Sequence, residues 1–167
     1  PSPPPGMIPP ADIAPAKGWA AGETPPAASG LSVQAFATGL DHPRWLYVLP
    51  NGDVLVAESN APPGKRAISG VKGKVMASVM KKAGSGVPSA NRITLLRDAG
   101  GDGVAETRTV FAQDLTSPFG MVLVGDALYV ANADALVRFA YAPGQQQAEG
   151  APRRIVDLPG GGDQLNH

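Results

Sequence analysis

Hydrophobic and polar positions follow three patterns along this chain. Residues 1–30 have neither a helical nor a strand period. From Leu31 onward, short apolar and β-branched runs are separated by turn signals, the pattern of a meandering all-β domain. It predicts strands at 31–37, 44–49, 53–58, 91–97 and 106–112, then at 119–124, 127–132, 135–141 and 153–158. Asn51-Gly52 and Gly125-Asp126 supply the hairpin turns, because glycine, lacking a Cβ, and the short polar Asn and Asp tolerate the backbone that a tight β-turn needs. The third pattern lies within residues 60–90, an insertion in which Val71, Val75, Val79, Met80 and Ala83 share one side of a short helix at 71–84. Lys72, Lys74, Lys81 and Lys82 fill much of its other side. That is an amphipathic helix packed on its own sheet with a solvated basic face. Its functional alternatives are a lid, a partner helix or a membrane-surface contact.

The strand pattern repeats. Residues 36–60, "FATGLDHPRWLYVLPNGDVLVAESN", align with 111–134, "FAQDLTSPFGMVLVGDALYVANAD", after one gap. Phe36 falls on Phe111, Leu40 on Leu115, Pro43 on Pro118, and Val56-Ala57 on Val130-Ala131. Leu40 and Leu115 are 75 residues apart, and a third copy starts at Leu158, 43 residues after Leu115. Setting the insertion aside reconciles the two spacings at a period near ~45, that of a four-stranded β-propeller blade. The fold class is therefore all-β, an incomplete piece of about two blades plus a helical insertion. The strand at 31–37 would be the fourth strand that closes the ring. Two blades cannot close a ring, so residues 31–167 are expected to be part of a larger propeller.

Composition narrows the picture. Residues 1–30 hold nine of the 18 prolines and read as an extended or disordered Pro/Ala-rich linker, with Trp19 as its one anchor candidate. Lys+Arg and Asp+Glu are 14 each, which gives no electrostatic case for a nucleic-acid partner. No apolar run approaches the ~18 residues of a membrane span. The absence of cysteine removes disulfides and thiolate metal sites.

In a meander, the connections entering each blade and those between its second and third strands share one end, and the hairpins share the other. His42, in "GLDHPRW", and His167, in "GGGDQLNH", both fall on the first of these ends, where propellers commonly place ligands. Each also reads as an ordinary loop histidine. Glu58 and Asn132, at the ends of equivalent strands there, line a polar site or cap loop amides. Asp98 and Asp102 in "RDAGGDGVAE" invite a calcium reading. Gly100 and Thr109 stand where an EF-hand loop would need ligands, so the motif is better read as a glycine-rich hairpin on the opposite end, with any ion there purely structural.

The stretches "GLDHPRWLYVLPNGDVLVAESNAPP", "GVPSANRITLLRDAGGDG", "LTSPFGMVLVGDALYVANADALVRF" and "VDLPGGGDQLNH" closely resemble the sorbosone dehydrogenase branch of the glucose/sorbosone dehydrogenases. The resemblance spans residues 31–167. It implies a six-bladed propeller, periplasmic or secreted, that binds pyrroloquinoline quinone with calcium and oxidises sugars or aldehydes for an electron acceptor the sequence does not identify. It also implies that His167 is the general base, taking a hydroxyl proton while hydride passes to the quinone. An imidazole near its usual pKa of ~6.5 suits that role. Two positions depart from the pattern. Leu115 and Thr116 stand near where soluble relatives have a cofactor-binding glutamine, and Gly100 stands where an aspartate is frequent. The groups that hold the quinone and its calcium belong to later blades, so this portion alone is expected to be inactive. The competing classes are a calcium-dependent lactonase-like propeller, in which a metal activates water, and a non-catalytic interaction module.

Overall fold

The computed structural model describes residues 18–20, 22–60 and 88–159. Its elements all lie in the compact unit formed by Glu23–Gly64 and Pro88–His167. The insertion helix, the first part of the linker and His167 fall outside the described residues. There are eight strands among them and no helix. They are β1 Pro43–Val48, β2 Val54–Glu58, β3 Arg92–Arg97, β4 Thr107–Ala112, β5 Met121–Val124, β6 Ala127–Ala131, β7 Ala135–Ala140 and β8 Arg153–Asp157. Each set of four forms one antiparallel sheet in chain order, β1-β2-β3-β4 and β5-β6-β7-β8.

Residue choice explains the elements. β2 and β3 are buried along nearly their whole length, and their buried positions are apolar apart from Glu58 and Thr94. β4 and β5 instead alternate between inward and outward positions. The β1–β2 turn closes with Gly52 at φ +88°, and the β5–β6 turn with Gly125 at φ +60°, so glycine meets a real conformational demand at both. One face of the first sheet packs against one face of the second. Leu55, Ala57, Ile93, Leu95 and Phe111 meet Met121, Leu128, Val130, Val137 and Phe139 in a single core. The Tyr47 hydroxyl accepts a hydrogen bond from the Leu123 amide at 3.1 Å, tying β1 to the neighbouring inner strand β5. Two consecutive meanders stacked face to face are the arrangement of adjacent propeller blades.

The repeat extends to backbone detail. The Ala105 amide donates to Phe36 O (2.9 Å) as the Ala148 amide does to Phe111 O (2.8 Å), and the Leu115 amide donates to Asn91 O (3.0 Å) as the Leu158 amide does to Asp134 O (2.8 Å). Register shifts fall at the matching points Ile93/Thr94 and Leu136/Val137. The connections entering the two blades each turn twice through left-handed backbone, at Gly39 (φ +68°) and His42 (+50°) in the first and at Asp114 (+58°) and Ser117 (+45°) in the second.

One expected strand does not form. Residues 31–37 belong to no sheet, because no described strand lies beside them to pair with. Phe36 nevertheless sits against the first blade as Phe111 sits against the second. With Leu40, Leu46, Val54, Val56 and Leu96 it lines an open apolar groove of about 590 Å³. Leu46 and Val48, on this face, are 62% and 64% exposed, while their counterparts Met121 and Leu123 are covered by the first blade. The segment therefore holds the place of a fourth strand without the sheet that would make it one.

Left-handed backbone at a non-glycine residue costs about 1–2 kcal/mol, most for β-branched side chains. Valine at His42 or Ser117 is expected to lower unfolding free energy by about that amount, with glycine costing clearly less at both sites. Urea denaturation of the four variants measures the difference.

Candidate functional site

Each non-glycine residue with positive φ among the described residues lies at one end of the two sheets: His42, Asn91, Asp114 and Ser117. This is the end where chains enter the blades and where β2 and β6 finish. Backbone strain of this kind persists only where surrounding contacts over-determine it, and it gathers at functional sites. Here the contacts are visible. Asn91 Oδ1 accepts hydrogen bonds from the Ser89 hydroxyl (2.6 Å) and the Ser117 amide (3.2 Å). The Ser117 hydroxyl donates to Asn60 O (3.1 Å), and the buried Ser59 hydroxyl donates to Pro118 O (2.7 Å).

The centre of this end in the first blade is Glu58, whose side chain is fully buried. Its carboxylate is surrounded by donors. Oε1 accepts from Arg92 Nε (2.9 Å) and the Thr94 hydroxyl, while Oε2 accepts from Arg92 Nη2 (3.1 Å) and the Asp41 amide. Arg92 also reaches Asp41 Oδ2 at 2.8 Å. Arg108, 3.9 Å from Glu58, donates to the carbonyls of Thr38 (3.1 Å) and Gly39 (2.9 Å). Burial alone would raise the Glu58 pKa. The hydrogen bonds from Arg92, Thr94 and the Asp41 amide, with the Arg92 charge, outweigh it and hold the group below its ordinary value. Glu58 is thus the anionic clamp that fixes the 38–42 connection, and it has no lone pair left for a metal. Between the two readings the sequence left open, loop capping is the one the structure shows.

Asn132 occupies the corresponding place in the second blade without the clamp. Ala135 and Val137 replace Arg92 and Thr94, and Asn132 Oδ1 is buried with no hydrogen-bond partner among the described residues. At the opposite end, Asp53 is 2% exposed and takes a bidentate pair from Arg97, Nε at 2.7 Å and Nη2 at 2.6 Å. That hydrogen bonding lowers the Asp53 pKa against the opposing effect of burial.

Asp98 and Asp102 lie in the β3–β4 turn, and the structure adds Glu106, a residue the sequence reading had placed only as a strand start. The three carboxylates have ligand atoms within 4.8 Å of one another. Most of their oxygens already accept backbone amides. Asp98 Oδ1 takes Gly101 (2.5 Å) and Asp102 (3.2 Å), and Asp98 Oδ2 takes Gly103 (2.8 Å). Asp102 Oδ1 takes Val104 (3.0 Å), and Glu106 Oε2 takes Ala99 (2.7 Å). A calcium ion needs six to eight oxygens. The free oxygens in the described loop fall short of that, so no chemical step is derived through it.

His42 is brought to the same end as Glu58, held in left-handed backbone with its carbonyl accepting the Ser59 amide at 3.2 Å. His167 lies outside the described residues. What sequence reasoning missed is a surface beside His42. Trp45 on β1 and Phe119 just before β5 are 44% and 45% exposed, with ring centroids 5.4 Å apart. The Arg44 guanidinium stands 5.9 Å over the Phe119 ring. The available signal was that Arg44 and Trp45 follow the repeated Pro43, and Phe119 follows Pro118.

Fold and site together define a protein built of blade-type four-stranded repeats, with its polar, strained connections gathered at one end. The chain belongs to the family described as a domain of unknown function, DUF7133, whose model matches residues 50–151. No curated protein matches it. Among solved structures it is similar to the holo form of the pyranose dehydrogenase PQQ domain from Coprinopsis cinerea, at 18% identity and a TM-score of 0.48. That alignment covers 73% of this chain and 22% of the other, so the chain spans less than a quarter of that structure's length.

Because Glu58 and Asp53 have folded pKa values below their unfolded ones, their contribution to stability is fully present above about pH 5 and is lost as pH falls through the folded values. Unfolding free energy measured by urea from pH 7 to pH 3 should fall steeply below about pH 4, and less so in Glu58→Gln with Asp53→Asn. Arg92→Met, which strands the Glu58 carboxylate, should cost about 3 kcal/mol at pH 7. Asp98→Ala should lower the melting temperature by several degrees, on the order of 1–2 kcal/mol, by the same amount in calcium as in chelator.

Proposed function

We propose that the chain is the N-terminal part of a quinone-dependent dehydrogenase of sugars or aldehydes, built on a six-bladed propeller, with His167 as its general base. The observation that carries this reading is the start of a third blade-entry connection. Leu158 makes the same backbone hydrogen bond to the preceding turn that Leu115 makes, and "LPGGGDQLNH" continues from it as the resemblance to the sorbosone dehydrogenase branch requires. An imidazole there would sit at the end where the strained connections and the exposed aromatic pair lie. Pyrroloquinoline quinone, when bound, supplies the hydride acceptor, and the histidine accepts the substrate hydroxyl proton. Calcium belongs to the same proposal. The Asp98, Asp102 and Glu106 turn lies at the far end from the base with most of its oxygens spent on backbone amides, so calcium, like the quinone, is left to groups of later blades. The periplasm, or secretion, is the compartment proposed with it.

The lactonase-like alternative needs an acidic metal cluster at the ligand end. The Glu58 clamp counts against it, because that carboxylate is spent on Arg92, Thr94 and the Asp41 amide.

The test uses a polypeptide carrying these residues within a complete ring, loaded with pyrroloquinoline quinone and calcium. Dye reduction with aldoses and sorbosone is expected, and His167→Gln should lower kcat by about 10²–10⁴ with little change in quinone binding. Absence of quinone-dependent turnover on every aldose and aldehyde tried would overturn the proposal. The 167-residue chain itself should show no tight, specific quinone binding.

A further inference from the structure

At the end where the chain enters each blade, the arginines are mostly committed. Arg92 serves Glu58 and Asp41, Arg108 serves the carbonyls of Thr38 and Gly39, and Arg154 pairs with Asp134 and Asp157. Arg44 differs. Among the described residues no hydrogen bond or ion pair engages its guanidinium, which stands over the face of Phe119. The nearby acids do not compete for it, since Asp41 and Glu58 are taken by Arg92.

Beside this free guanidinium are two exposed rings. Trp45 and Phe119 are tilted 45° to each other with centroids 5.4 Å apart, and both leave nearly half their surface in water. Soluble domains seldom leave two large aromatics together and open unless something covers them. Their positions are fixed from behind. Trp45 is held in β1 by its pairing with Ala57 just after a register shift, and the Phe119 amide donates to Ala131 O at 3.0 Å. β1 and β5 are the first strands of their sheets, and Arg44 and Trp45 also border the open groove lined by Leu46 and Val56.

These groups specify a ligand chemistry. Aromatic faces take the flat or C–H-bearing face of a ring. A guanidinium with its donors unspent takes a carboxylate in bidentate fashion, and the adjacent ring keeps that fork oriented. The geometry points to Arg44, Trp45 and Phe119 as a binding site for a ring that bears a carboxylate, with the ring on Trp45 and Phe119 and the carboxylate on Arg44. Two sources share this chemistry, an aromatic carboxylate and a sugar acid. The site stands independently of the dehydrogenase reading, because it uses neither His167 nor a quinone.

The chain has two tryptophans, Trp19 and Trp45. Trp19→Phe therefore leaves a single indole N–H in the proton–nitrogen NMR spectrum, that of Trp45. Benzoate and glucuronate are titrated against it, with benzyl alcohol and methyl glucoside as their uncharged counterparts. A saturable shift with a midpoint on the order of 1 mM is expected for at least one carboxylate, at least tenfold tighter than its uncharged counterpart. Saturation by benzoate alone identifies an aromatic source, and by glucuronate alone a sugar acid. Arg44→Met should weaken the bound carboxylate about tenfold or more, and so should Phe119→Leu, while Arg153→Met, an exposed arginine on β8, should leave it unchanged. All three positions are exposed at the surface, so the variants should fold. The site is overturned if neither carboxylate saturates, if the uncharged compounds bind as well, or if Arg153→Met weakens binding as much as Arg44→Met.

Discussion

Everything in this structure depends on burying one face of a four-stranded meander against the next. A sheet of four short strands has two apolar faces and cannot satisfy either alone. Leu55, Leu95 and Phe111 of the first blade close over Leu128, Val130 and Phe139 of the second, and that contact is the core. Because side chains alternate between the two faces along a strand, the same contact favours one register in the hairpins that carry the core residues. It also leaves Leu46 and Val48 of the first blade in solvent at positions whose counterparts in the second are covered.

The polar end follows from that stacking. Blades that face one another bring their entry connections to the same rim, where chains must turn sharply between a fourth strand and a new first one. The turns use left-handed backbone at equivalent positions, although the residues there, Gly39 and Asp114, His42 and Ser117, have little in common. What holds them differs between blades. The first uses a buried carboxylate neutralised by arginine and four hydrogen bonds. The second uses backbone and hydroxyl contacts around Asn91, and among the described residues no donor reaches Asn132 Oδ1.

This construction separates scaffold from chemistry. Glu58 and Asp53, the most deeply buried carboxylates, are consumed by Arg92 and Arg97 and tie the two ends of β2 to β3 within the first sheet. The Asp98 turn closes on its own amides. Among the described residues, the groups left with unspent capacity are Arg44, Trp45 and Phe119 near the entry rim. Chemistry proposed for this protein therefore gathers where the fold leaves donors and rings uncommitted.

The sequence by itself determined the strands and their order. Alternation and turn residues do that locally, and the Phe36/Phe111, Leu40/Leu115 and Pro43/Pro118 matches already revealed two copies of one unit. Asp98 and Asp102 were legible as a loop cluster, but Glu106 was not, because its approach depends on how the hairpin closes. Glu58 could be read as either ligand or cap, since a carboxylate at a strand end looks the same in both. Only tertiary structure brought Arg92, Thr94 and Asp41 around it. Residues 31–37 show the same limit from the other side. They have the composition of a strand, yet a strand exists only when another lies beside it, and pairing is a property of the assembled sheet rather than of the segment. The meeting of Trp45 and Phe119, 74 positions apart in the chain, was likewise decided by blade stacking, because no local period links residues on two different sheets.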